Sequence, residues 1–170
     1  MADAPNIRPP TPRGFSRMPV DRQRLSKTLS GVAGEYFVAA ELSRRGVIAS
    51  LTLKNTQGID VLAASGDAAR SVGIQVKTNQ DDAREWLLDH KVESQTAPNI
   101  YFVFVALGTG HQPRYHVVPS RVVAEYCART HREWLAQPGR GGHQHKDTPM
   151  RVFKDLTDEY LNRWDLLGLD

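Results

Sequence analysis

Hydrophobic and polar positions sort the 170 residues into a short series of elements. Between residues 72 and 78 the alternation is strict. Val72, Ile74 and Val76 fall on one face and Gly73, Gln75 and Lys77 on the other, the period of a half-buried strand. Residues 59–64 and 47–53 predict two more strands, and Gly66-Asp67 supplies turn chemistry between the second and third. A turn centred on residues 67–68 sets Asp60 opposite Gln75, with Lys77 one pleat further along the same face; an extra bulge residue would shift that register. Ahead of the strands, GVAGEYFVAAEL is small and apolar almost all round, which predicts a helix from residues 26–30 to about Arg45, ended by Gly46 and buried against a sheet. IYFVFVAL, residues 100–107, reads as a strand buried on both faces, and residues 114–118 as another. Ser120 predicts the cap of a helix over residues 121–135. Residues 137–149 (QPGRGGHQHKDTP) predict a flexible loop, and residues 155–166 (DLTDEYLNRWDL) a last short helix. The charged stretch 79–98 is ambiguous, its REWLL fitting a short strand or the start of a helix. Mixed helices and strands, with several hairpins, give an α/β or α+β chain.

Composition narrows the setting. No apolar run reaches the roughly 18–20 residues that span a bilayer, and a single cysteine excludes an internal disulfide and a Cys-rich zinc site. Both point to a reducing, cytoplasmic compartment with no membrane partner. Residues 1–25 are Pro- and Arg-rich without periodicity and predict a disordered basic arm ahead of a single domain, 26–170. Residues 1–28 hold six basic residues against Asp3 and Asp21, a surplus of four on a chain whose net charge is +3. That distribution fits either a polyanionic partner or a solubilising tail.

Three polar groups stand out between the apolar strands: Asp60, Gln75 and Lys77. Each has a plain explanation alone, Asp60 as a strand-end cap and Gln75 with Lys77 as the polar face of an edge strand. Glu35 lies among Val32, Tyr36, Phe37 and Val38, where desolvation raises a carboxylate pKa unless a cation or metal compensates. Lys77 is one candidate partner, and a structural Glu35–Lys77 pair without chemistry is the competing reading.

The ordered set, a helical Glu, then Gly58-Ile59-Asp60, then Gln75-Val76-Lys77 after a hairpin, resembles the PD-(D/E)xK nucleases over about residues 28–107. The resemblance implies a restriction-endonuclease-like α/β core, a mixed sheet of about four to five strands flanked by helices in helix–strand–strand–strand–helix–strand order. It implies a metal-dependent endonuclease acting on DNA, with Mg²⁺ or Mn²⁺ held by Asp60, Gln75, the Val76 carbonyl and Glu35, and with Lys77 beside the attacked phosphate. Size and resemblance together imply a homodimer on a duplex. Two departures matter. Gln75 replaces the usual second acid, a variant found in some homing endonucleases, and Ile59 replaces the proline. The first leaves open a nucleic-acid-binding or scaffold protein that kept the fold and lost the chemistry.

Secondary candidates for nucleic-acid contact are Lys54 and Asn55, just ahead of Asp60, and Arg140, His143 and Lys146 in the 137–149 loop. His143 and His145 lack a third local ligand and make a poor zinc site. Trp86, Trp134 and Trp164 read as core or interface, and nothing in the sequence brings Ser120, Cys127 and His131 together as nucleophile and base.

Overall fold

Ser26 starts the first helix, its Oγ accepting the Leu29 amide at 3.2 Å. Helix α1, Lys27–Arg44, is followed by Gly46 in the left-handed region (φ 81°). The computed structural model describes residues 24–53, 58–108 and 112–169, and of Arg140 the backbone alone. The arm expected over residues 1–25 therefore lies outside the described residues except for Arg24 and Leu25, as do the candidates Lys54 and Asn55. Ser30, Gly34, Val38 and Leu42 form the buried stripe of α1. The expectation of burial nearly all round needs correction, because Tyr36 and Phe37 are 62% and 41% exposed. One sheet lies beneath the helix, and among the described residues no element covers its outer side.

That sheet has five strands in the order β1-β2-β3-β5-β6: β1 Ile48–Leu51, β2 Val61–Ala64, β3 Ser71–Asn79, β5 Ile100–Ala106 and β6 Arg114–Pro119. β3 and β5 are parallel and the other pairs antiparallel. A parallel pair needs a crossover. Here the crossover contains β4, Glu85–Asp89, and a 3₁₀ turn, His90–Ser94. The helix expected between the third and fourth core strands is thus replaced by a strand and a single tight turn. Trp86 and Leu88 alternate inward, and β4 pairs with β7, Met150–Lys154, a strand the polar loop before it concealed.

β5 is buried on both faces, as its unbroken apolar run predicts, and so separates two cores. On one face, α1 packs Val38 and Leu42 against Val61, Ile74, Val76, Val103 and Val105. On the other, α2 (Ser120–Ala136) and the β4–β7 ribbon enclose Phe102, Phe104, Trp86, Phe153 and Cys127. Phe104 stacks on Phe153 with ring centroids 4.6 Å apart, and Trp86 Nε1 donates to the Val105 carbonyl at 3.1 Å.

Three further expectations change. Pro119 takes the cap position of α2, and the Ser120 hydroxyl donates instead to the Ala97 carbonyl at 2.9 Å, tying the helix to the crossover. Residues 155–166 form turns rather than an α-helix, with Asp158 and Asn162 at φ 58° and 56°. Tertiary bonds outcompete the helical pattern there. The buried Asp155 carboxylate accepts the Glu159 and Tyr160 amides and shares a 2.6 Å hydrogen bond with His116 Nδ1, while the Val117 amide donates to the Tyr160 carbonyl along the outer edge of β6. The 137–149 loop is tied down, with His131 Nε2 2.8 Å from Asp147 and Trp134 stacked on His145 at 4.0 Å.

Gly34 sets how closely α1 approaches β3. A Cβ at this position would lie 1.9 Å from Thr78 Oγ1. Gly34→Ala is expected to destabilise the protein by about 1–3 kcal/mol in urea unfolding. The added Thr78→Ala change should restore most of the loss, and a cycle with no coupling would contradict the contact.

Candidate active site at the open edge of β3

β2 accompanies β3 only as far as the Val61–Ile74 pair, whereas β3 continues to Asn79. Among the described residues, no strand runs beside this edge of residues 75–79. Main-chain groups alternate between the two edges of a strand. The Gly73 amide donates to Asn99 and the Asn79 carbonyl accepts from Leu107, so the odd residues bond toward β5. Ile74 and Val76 consequently turn their amides and carbonyls toward the side β2 has left.

Asp60 occupies that gap. Its amide donates to the Ile74 carbonyl at 2.8 Å, although Ile74 already faces Val61 in the register. Two residues of one strand meeting one of the other make a bulge, so Asp60 does not sit squarely across from Gln75 as a symmetric turn requires. The bulge brings the Asp60 carboxylate to the edge, where Oδ2 accepts the Val76 amide at 2.7 Å. Thr52 holds this stretch from the other side, its amide donating to the Asp60 carbonyl at 3.0 Å and its hydroxyl to the Ile59 carbonyl at 2.6 Å. The carboxylate thus replaces a missing strand partner, and the Val76 carbonyl points to the same open edge.

Gln75 and Lys77 project to the face of Phe102 and Phe104, their partners in the parallel register. They line a cleft of about 530 Å³, joined by Lys91, Gln95 and Asp89 above an apolar floor that includes Phe102. Gly58, with φ 66°, forms its wall; a side chain there would meet the Gln95 and Gln75 amides at 3.1 and 3.4 Å. Lys77 also lines a second groove of about 900 Å³ together with Arg24, Lys27, Thr78 and Lys154, so it stands where two openings meet.

Glu35 is half-buried on α1, over the opposite face of the sheet from the Gln75 and Lys77 side chains. The Gly34–Thr78 contact holds it level with this part of β3. His143 and Lys146 lie exposed in the loop beyond α2 and line neither opening. Lys91, Gln95 and Asp89 come from the stretch the sequence left ambiguous. The alternation of Trp86 and Leu88 with Glu85, Leu87 and Asp89 was the available signal for a strand ending there.

Nucleophile–base alternatives do not assemble. Ser120 is committed to Ala97, His131 to Asp147, and burial pushes the Cys127 thiol up to about 12. Native Cys127 is expected to resist a thiol reagent at pH 8 and to react once the chain is unfolded; fast native labelling would contradict its burial. Among the described residues, no three His, Cys, Asp or Glu side chains cluster closely enough to hold a metal. The oxygens available at the edge come from one carboxylate, one amide and one main-chain carbonyl.

Protein-family models and curated proteins offer no match to this chain. Among solved structures, the bacterial homing endonuclease I-Ssp6803I aligns with a TM-score of 0.52 and 15% sequence identity, over 84% of this chain and 92% of that one. The Holliday junction resolvase Hjc of the archaeal hyperthermophile Archaeoglobus fulgidus aligns with a TM-score of 0.43 and 12% identity, over 74% and 84%. The fold is restriction-endonuclease-like. Within that fold Asp60 and the Val76 main chain meet at the edge that β2 leaves on β3, and Gln75 and Lys77 lie on the adjoining face.

The capping bond makes a stability prediction independent of any activity. Asp60→Asn keeps an oxygen for the Val76 amide and should cost under about 1 kcal/mol in urea unfolding, whereas Asp60→Ala orphans that amide and should cost about 1–3 kcal/mol. Equal losses would mean that the carboxylate is not the acceptor.

Proposed function

We propose that this protein is a metal-dependent endonuclease that hydrolyses phosphodiester bonds in DNA. The observation that carries the reading is the open edge of β3, where the Asp60 carboxylate and the Val76 carbonyl meet beside a cleft lined by Gln75 and Lys77. The shared fold of a homing endonuclease supports it. Asp60 Oδ2 is engaged with Val76, and no hydrogen bond among the described residues falls on Oδ1. An all-oxygen donor set with a single carboxylate suits Mg²⁺ or Mn²⁺, ions that keep most of their waters.

Asp60, the Val76 carbonyl and the Gln75 amide oxygen would hold the ion, with Glu35 binding one of its waters from the α1 side. Bound there, the ion neutralises charge on the scissile phosphate and eases deprotonation of the attacking water. Lys77, which lines both openings, contributes a positive charge whose value grows as negative charge gathers on the phosphate oxygens. Phe102 beneath the cleft limits water on that side and strengthens these interactions. The described residues hold one such edge, so cutting both strands of a duplex at once calls for a homodimer.

The test is incubation of supercoiled plasmid in Mg²⁺, Mn²⁺ or EDTA. Cleavage is expected with metal and absent in EDTA, and Lys77→Ala should lower its rate about 100-fold or more. Gln75→Glu, by restoring a second carboxylate, should shift half-maximal cleavage to lower Mg²⁺. Gln75 in place of a second acid motivates a second reading, a DNA-binding protein without cleavage. Salt-sensitive binding by folded protein with no strand breakage in any metal would decide for it.

A further inference from the structure

We propose that the groove over the end of β3 seats the DNA backbone next to the cut, with Lys27 and Lys154 as its phosphate contacts and Glu85 as the acid that a phosphate displaces. The inference rests on the Lys77 edge being the reacting site. α1 and the β4–β7 ribbon pack on opposite faces of the sheet. Lys27 and Ser30 of α1 nevertheless line one groove with Glu85 and Leu87 of β4 and Lys154 of β7. The two banks meet because, among the described residues, no strand stands beside residues 77–79. The groove thus continues the edge at which Asp60 and Val76 meet, and Lys77 stands at the junction.

Hydrogen bonds fix both banks. The Leu25 amide donates to Gln80 Oε1 at 2.7 Å and Gln80 Nε2 donates back to the Leu25 carbonyl at 2.8 Å, which ties the start of α1 to the end of β3. Asn79 Nδ2 donates to the Ala83 and Glu85 carbonyls at 2.8 and 3.2 Å, which ties the start of β4 to the same point. Four cations line the groove, Arg24, Lys27, Lys77 and Lys154, against two acids, Asp81 and Glu85. Asp81 pairs with Arg24 at 2.7 Å. Glu85, directly opposite Lys154 in the ribbon register, pairs with it at 3.0 Å. Both pairs are exposed and therefore weak, so a phosphate can take over the Lys154 ammonium at little cost. The cleft on the other side of Lys77 adds only Lys91, set against Asp89, so the groove is the more cationic path away from the junction. Asn79 lies two residues past Lys77, about 7 Å of extended chain, against a rise of about 3.4 Å per nucleotide of one DNA strand. Cations on both banks of a trough this close to the cut fit the phosphates of one backbone continuing past it.

The experiment measures binding of the full chain to a short synthetic DNA duplex as a function of salt, in EDTA so that no cleavage enters. Each phosphate contact on B-DNA contributes about 0.9 to the slope of log affinity against log salt, so replacing Lys27 and Lys154 by Gln should lower the slope by about 2. The same loss of two charges from α2, with Arg121 and Arg132 replaced by Gln, should leave it unchanged, since neither lines an opening. Glu85→Gln removes the competitor for Lys154 and should tighten binding about 1.5–5-fold, the worth of an exposed pair. Glu125→Gln, which breaks the Arg121 pair on α2, should not tighten it. An unchanged slope in the groove variant, an equal fall in the α2 variant, or no tightening with Glu85→Gln overturns the proposal. Plasmid cleavage with an unaltered slope removes the groove contacts and leaves the nuclease. The expected slopes without cleavage keep the groove on a protein that binds only.

Discussion

A single hydrogen bond, from the Val76 amide to the Asp60 carboxylate, is what the candidate site depends on. A sheet strand that loses its neighbour leaves unpaired amides and carbonyls, and burial without a partner costs each of them roughly 1–3 kcal/mol. β3 loses β2 after Ile74. The bulge at Asp60 gives the first of the abandoned amides a side-chain acceptor, and among the described residues no strand pairs with the carbonyl of the same residue. One local solution thus stabilises the edge and places an acid beside a carbonyl oxygen. The strand-end cap read for Asp60 in the sequence is one use of that carboxylate, and on the proposed reading a metal is the other.

The rest of the fold holds that edge open and accessible. α1 covers one face of β3, held close by the absence of a side chain at Gly34. The β4–β7 ribbon and α2 build the other core on Phe102 and Phe104, whose strand is paired with β3 along its opposite edge. Because the crossover is a strand and a 3₁₀ turn, it delivers Lys91 and Gln95 to the cleft mouth, where a long helix would have laid a continuous surface.

Elements whose signal is local were legible: the alternation of β3, the apolar run of β5, and the serine and glycine that bracket α1. The grouping of Gln75 and Lys77 on one face followed from period two alone. The bulge at Asp60 was not, because it comes from β2 parting from β3, and both registers leave the same letters. β7 was hidden because its partner β4 lies some sixty residues earlier and neither strand pairs locally. Residues 155–166 have a helical pattern that loses to contacts with β6, where Asp155 reaches His116 and spends its remaining lone pairs on two nearby amides.

The same geometry bears on why an amide stands at position 75. An unscreened second carboxylate on the edge would face Asp60 in partly desolvated surroundings, and like charges so placed resist joint ionisation unless a cation is already there. Gln75 removes that repulsion and leaves Lys77 unneutralised. On the proposed reading, the metal-free edge is then less repulsive to a phosphodiester and weaker for Mg²⁺. Each ligand supplies what the other lacks: the phosphate contributes the missing anionic oxygens to the ion, and the ion completes the neutralisation of the phosphate. On that reading their binding would be coupled, with the DNA helping to hold the metal. Cations beside Lys77 favour that order of events, since they can retain the polyanion before the ion is bound.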